Sequence, residues 1–148
     1  MGSVFGQKIF EHFERTHPET EGLLFPVAVL RFLNFQFETN QAELSHIPEQ
    51  GQIIIVANHP LGSLDGIGLL DAILSIRPDA KIVVNELLMH VKRLQPFALP
   101  VDNMSNKTSR EQLRAIQSHL ASGGALIIFP AGEVSRWRLS GFRDGQWN

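Results

Sequence analysis

Between Val4 and Arg15 the apolar residues Phe5, Ile9, Phe10 and Phe13 recur at helical spacing, with Lys8, Glu11 and Glu14 on the other side. That pattern predicts an amphipathic helix. Thr16-His17-Pro18-Glu19 breaks it, and a second helix is predicted from Gly22 to about Leu33. The period then shortens. Phe35 and Phe37 alternate with Asn34, Gln36 and Glu38, the two-residue repeat of a half-buried strand. Thr39 to Gln50 is polar, contains Pro48 and reads as a connection.

Beyond it, strands and helices alternate. A strand is predicted over Gln52–Ala57, a helix over Gly66–Ser75 and a strand over Ala80–Asn85. A short helix (Glu86–Leu94) and an extended piece (Phe97–Val101) between Pro96 and Pro100 follow. The helix Ser109–Ala121 then leads through Gly123-Gly124 into the strand Ala125–Phe129. Ile53 to Ala57 is continuously apolar, the signature of a strand buried on both faces. The expectation is an α/β fold, a mixed and largely parallel sheet flanked by helices. Residues 1–38 form a helical region with a first strand, and 39–148 the remainder. After Phe129 no periodic element returns. A domain rarely stops in such a loop, so a portion beyond Asn148 is expected.

Totals narrow the chemistry. The 148 residues are 43% hydrophobic and 19% charged, as in a globular domain with a real core. A net charge of −2 argues against general nucleic-acid binding. The lack of cysteine excludes disulfides, thiolate metal sites and cysteine nucleophiles. The N-terminus carries no secretory signal pattern. The most apolar segment, Leu23 to Phe37, is too short and too polar to span a bilayer. A cytoplasmic location is expected, with the inner face of a membrane left open. The phenylalanines of residues 5–35 could dock on such a face, but without a lysine-rich polar side core packing is the favoured reading.

Two polar turns follow buried strands. The first, Asn58-His59-Pro60-Leu61-Gly62-Ser63-Leu64-Asp65-Gly66, brings together a histidine and a carboxylate. Such a pair makes a general base whose tautomer and developing charge the acid controls. No G-x-S-x-G elbow accompanies it, so the substrate would supply the hydroxyl. The plainer reading is that Asp65 caps the following helix; it can also do both. The second turn, Phe129-Pro130-Ala131-Gly132-Glu133, would present peptide N–H groups and Glu133 at the same sheet edge. The other histidines (His12, His17, His46, His90, His119) are scattered without ligand spacing and read as surface or satisfied residues, so no metal site is expected.

Together these blocks resemble the glycerolipid acyltransferases, the lysophosphatidate-acyltransferase-like enzymes. That family carries N-H-x4-D after one hydrophobic strand and F-P-E-G-[TS]-R-S after another. Here five residues rather than four separate His59 from Asp65, and Gly62 can absorb the extra one as a bulge. Ala131 stands at the family's glutamate position, Val134 at its arginine, and an acid comes late at Glu133. N-H-P-x-G-x-x-D-G with F-P-A-G-E is similar to the bacterial branch labelled hemolysin-like and to the acyltransferases of ornithine-lipid synthesis. The similarity spans about residues 35–148.

The resemblance implies His59 as general base and Asp65 as its orienting partner. Asn58, Gly62, Asn103, Pro130, Gly132, Glu133 and Arg136 are implied in substrate binding. The family's phosphate-holding arginine is missing near Asn103, the nearest cations being Lys107 and Arg110, while Arg136 and Arg138 could substitute. This weakens the case for glycerol phosphate and leaves an amino-acid-derived lipid open. The implied reaction moves a fatty acyl group from acyl-CoA or acyl carrier protein to a lysolipid hydroxyl, with no cofactor beyond that co-substrate and with peripheral membrane contact. An ester or thioester hydrolase and an inactive lipid-binding fragment are the alternatives.

Overall fold

The computed structural model describes residues 2–102, 109–130, 136–138 and 141–143. Four parallel strands make the central sheet: β1 (Ile53–Val56), β2 (Lys81–Asn85), β3 (Ala98–Val101) and β4 (Ala125–Ile128), in the order β1-β4-β2-β3. The helices are α1 (Gly2–Thr16), α2 (Leu24–Phe32), the single turn α3 (Gln41–Leu44), α4 (Ser63–Leu74) and α5 (Arg110–Ala121). Short 3₁₀ turns cover Glu86–His90 and Gln95–Phe97 where one short helix is expected from the sequence. The alternation of strands and helices thus delivers the α/β architecture it predicts.

Parallel neighbours require crossovers, and right-handed ones fix the layers. The chain moves one way across the sheet from β1 through α4 to β2, and back from β3 through α5 to β4. Right-handed crossovers in opposite directions put α4 and α5 on opposite faces. α2 packs on α4, so α1, α2 and α4 build one thick helical layer. Its core joins Phe10, Phe13, Phe25, Val29 and Leu30 to Ile67, Leu70 and Ile73 of α4 and to Ile82, Ala125 and Ile127 of the sheet. Phe10, Phe13, Phe25 and Phe32 therefore pack as core, while Leu23 and Leu24 point outward. No helix among the described residues is long and apolar enough to cross a membrane.

Three sequence expectations fail here. Ile54 and Val56 are 50% and 46% exposed, so β1 is not buried on both faces. It is an edge strand, and α5 packs chiefly on β3 and β4. Residues 35–38 are not a first strand. Asn34 turns the chain at φ 50° and the Phe35 N–H bonds back to the Leu30 carbonyl at 2.9 Å. The alternating phenylalanines then lie across α4 rather than against a neighbouring strand. Finally, the segment after Phe129 does regain periodic structure. β5 (Arg136–Arg138) and β6 (Gly141–Arg143) pair antiparallel, with Trp137 opposite Phe142. The connection over 39–50 also holds a helical turn, α3, capped by the Asn40 side chain on the Ala42 N–H at 3.0 Å.

Candidate active site

β1 and β4 stay joined one residue past their ladder, where the Ala57 N–H donates to the Ile128 carbonyl at 3.2 Å. His59 and Phe129 leave adjacent strands at the carboxyl end of the sheet, where open α/β sheets place their ligands. Their rings stack at 4.2 Å between centroids and 27° between planes.

Gly62 then reverses the chain at φ 75°, ψ −127°, a conformation that side chains rarely adopt. It forms the N-cap of α4 without a side-chain cap bond. Asp65, in the first turn, reaches back so that its Oδ2 accepts the Leu61 N–H at 2.5 Å. The same oxygen lies 3.7 Å from His59 Nδ1, with the two side chains only 21% and 17% exposed. Asp65 therefore serves the helix start and faces the histidine at once. His59 Nδ1 is buried with no hydrogen-bond partner among the described residues. Closing the gap by less than about 1 Å would let it donate to Asp65 at ordinary N–H···O length. Burial holds the imidazole below its usual pKa, an effect the Asp65 charge partly offsets. The ring is thus kept neutral and able to accept a proton.

Beside the pair lies a groove of about 310 Å³. Phe35, Phe37, Leu64, Leu69, Ala72 and Phe129 give it apolar walls, and Asn58, Asp65, Glu38 and Thr39 supply its polar groups. Gly68 opens its floor, since a Cβ there would stand 3.6 Å from Phe37 Cδ1 and 3.9 Å from Phe35 Cε1. An apolar groove lined by the carboxylate that faces His59 fits a molecule with a hydrocarbon tail and a reactive polar head.

Of the residues expected from sequence, His59, Asp65, Asn58 and Gly62 converge here. Pro130 follows Phe129 in the adjoining turn and is half-buried. Arg136 lies on β5, while Asn103, Gly132, Glu133 and Lys107 lie outside the described residues. Sequence reasoning missed Phe129 as the ring against His59, Gly66 as the gap beside that ring, and Phe35 and Phe37 as groove walls. The signal for Phe129 was its place directly before Pro130 in the second turn. Of the other histidines, His119 Nε2 meets the Ala125 carbonyl at 2.9 Å, and His17 stacks on Phe13. Among the described residues no three His, Asp or Glu side chains gather to hold a metal ion.

A model of the acyltransferase family matches residues 9–148. The chain is 33% identical over 128 residues to the lyso-glycine lipid O-acyltransferase of Bacteroides thetaiotaomicron, an alignment covering 85% of this chain and 46% of that protein. It is 34% identical over 128 residues to the enzyme of the same name from Phocaeicola vulgatus, covering 85% and 44%. The chain thus spans about half the length of the curated relatives it matches. No solved structure matches it significantly.

Proposed function

The chain belongs to the acyltransferase family, and on that premise we propose that it carries the base and acyl-binding groove of a lipid O-acyltransferase. The reaction moves a fatty acyl group from a thioester, acyl-CoA or acyl carrier protein, to the hydroxyl of a lipid lacking one chain. The relatives' names point to an acceptor built on an amino acid, consistent with the absence of an arginine where the family holds phosphate.

His59 takes the proton of the acceptor hydroxyl, and the freed oxygen attacks the thioester carbonyl. The negative charge then on the carbonyl oxygen falls to backbone N–H groups at the start of α4, each donor worth about 3–4 kcal/mol where such holes have been measured. Collapse of the tetrahedral intermediate breaks the C–S bond, and the thiolate leaves with the proton returned from His59. Asp65 orients the imidazole through Nδ1 and stabilises it while charged. The groove holds the acyl chain, and the lipid substrates bring the protein to the cytoplasmic surface of a membrane.

One observation carries this reading: an imidazole lies 3.7 Å from a carboxylate that lines an apolar groove. The test is acylation of a lyso-glycine lipid from acyl-CoA or acyl carrier protein, following both ester product and free thiol. His59→Gln should lower ester formation about 10²–10⁴-fold, the usual worth of a positioned base. Thiol release at the full rate without acceptor would make the protein a hydrolase instead.

A further inference from the structure

The His59 ring is seated against a second aromatic ring. Its Nδ1 has no hydrogen-bond partner among the described residues, and Asp65 stands 3.7 Å away with its Oδ2 already taken by the Leu61 N–H. The plane of the ring is set against the face of Phe129, at 4.2 Å and 27°. On the edge of this stack lies Gly66, where a Cβ would come 3.8 Å from His59 Cε1, 4.0 Å from Phe129 Cε2 and 3.5 Å from Ile82 Cδ1. The two rings and the Ile82 methyl thus converge on the place a side chain would occupy. Adjacent strands β1 and β4 deliver the rings, and α4 brings the bare backbone that seats them.

We infer that Phe129, seated against Gly66, is a positioning residue that holds the His59 ring in the plane from which Nδ1 can reach Asp65. Kinetically this rests on the proposed acyl transfer. Physically it concerns only the ring and its neighbours. Stacked aromatic side chains favour an offset, near-parallel arrangement of this kind. The phenyl face also covers the imidazole, and covering a base that is cationic when protonated keeps it neutral to lower pH. An aliphatic side chain at 129 would fill volume without presenting a flat face.

The experiment compares the full chain with Phe129→Leu and Phe129→Tyr by NMR titration of the His59 ring protons, alongside pH–rate profiles. In the parent protein those protons should carry the upfield shift of a stacked ring and titrate below 6.5, the ordinary value. Phe129→Leu should abolish that shift and move the titration midpoint. It should lower kcat about 10- to 100-fold, as misplacement of a catalytic group does, a loss separate from any change in KM that follows from the place of Phe129 in the groove wall. Because the base must be neutral to act, the acid limb of the profile should move with that midpoint. Phe129→Tyr keeps the flat face and should recover the shift, the midpoint and most of kcat. Unchanged His59 shifts and midpoint in Phe129→Leu overturn the inference, as does failure of folded Phe129→Tyr to recover what leucine lost. Should the parent protein acylate nothing, the proposed function fails, while the NMR titration still decides whether Phe129 holds the ring.

Discussion

The histidine and the aspartate of the site are joined through one glycine. The turn between them holds a residue more than the family spacing, and Gly62 accommodates it at φ 75°, ψ −127°. That backbone aims the Leu61 N–H at Asp65 and starts α4 in the register that brings the carboxylate back to His59. Gly62→Ala should destabilise the fold by about 1–3 kcal/mol, the cost of holding an L residue in such a region. It should lower kcat further than the loss of folded protein explains, as urea titration beside initial rates will show. An equal loss of both would leave the turn a folding element alone. This bulge was legible in the sequence, because an extra residue had to go somewhere and a glycine stood within the loop. The Phe129 stack was not. It depends on β4 being inserted next to β1, a strand order that local patterning does not encode.

Elements show the same divide. The longer helices α1, α2, α4 and α5 and the strands β1, β2 and β4 follow from the apolar pattern, because a side chain's period reports the local backbone. The exposed face of β1 and the irregular course of residues 35–38 do not, since each depends on which element happens to cover it. Phe35 and Phe37 alternate as in a strand, yet their rings lie over Gly68 of α4 and wall the groove. Gly68→Leu should fill the floor of that groove. If it holds the acyl chain, the variant should favour shorter acyl donors, read as kcat/KM across a chain-length series; an unchanged preference would send the acyl chain elsewhere. Arg77, missed entirely from sequence, ties elements together at the opposite end of the sheet. It is 1% exposed, pairs with Asp79 at 2.8 Å and donates to the carbonyls of Pro48, Gly51 and Gly123. These bonds lock the entries to β1 and β4 onto the exit of α4, and the guanidinium holds the Asp79 carboxyl below its usual pKa. Arg77→Met should cost about 3–5 kcal/mol, mostly by leaving the buried carbonyl acceptors of Pro48, Gly51 and Gly123 without a donor. At this chain length that is a fall in Tm of about 6–20 °C. The Asp79 part of this stability exists above the unfolded carboxylate pKa, about 3.9, and disappears as pH falls through the lower folded value. The deficit of Arg77→Met should therefore narrow in strong acid.

At the scale of the molecule the question is whether the N-terminal helices belong to the domain's core or are laid on it. An aromatic-rich leading segment in a chain proposed to act on lipids invites the second view. The packing favours the first, because Phe10, Phe13 and Phe25 are each no more than 2% exposed and share one cluster with α4 and the sheet. Phe13 sits at its centre, edge-on to Phe25 at 5.8 Å and to Phe32 at 5.6 Å, with His17 stacked on its face at 4.7 Å. Arg93 adds a polar tie from beyond β2, donating to the carbonyls of His17 and Pro18 just past α1. In that arrangement α4, which carries Asp65 and the groove floor, is braced from behind by α2 and α1. Phe13→Ala should then cost about 3–5 kcal/mol, transfer and cavity terms together. The loss should come out of a single cooperative transition, not out of a detachable first stage. Thermal unfolding followed by far-ultraviolet dichroism and by tryptophan fluorescence measures this directly. Coincident transitions displaced together by the substitution are the expected result, whereas an unmoved main transition would make α1 an appendage whose phenylalanines serve another surface.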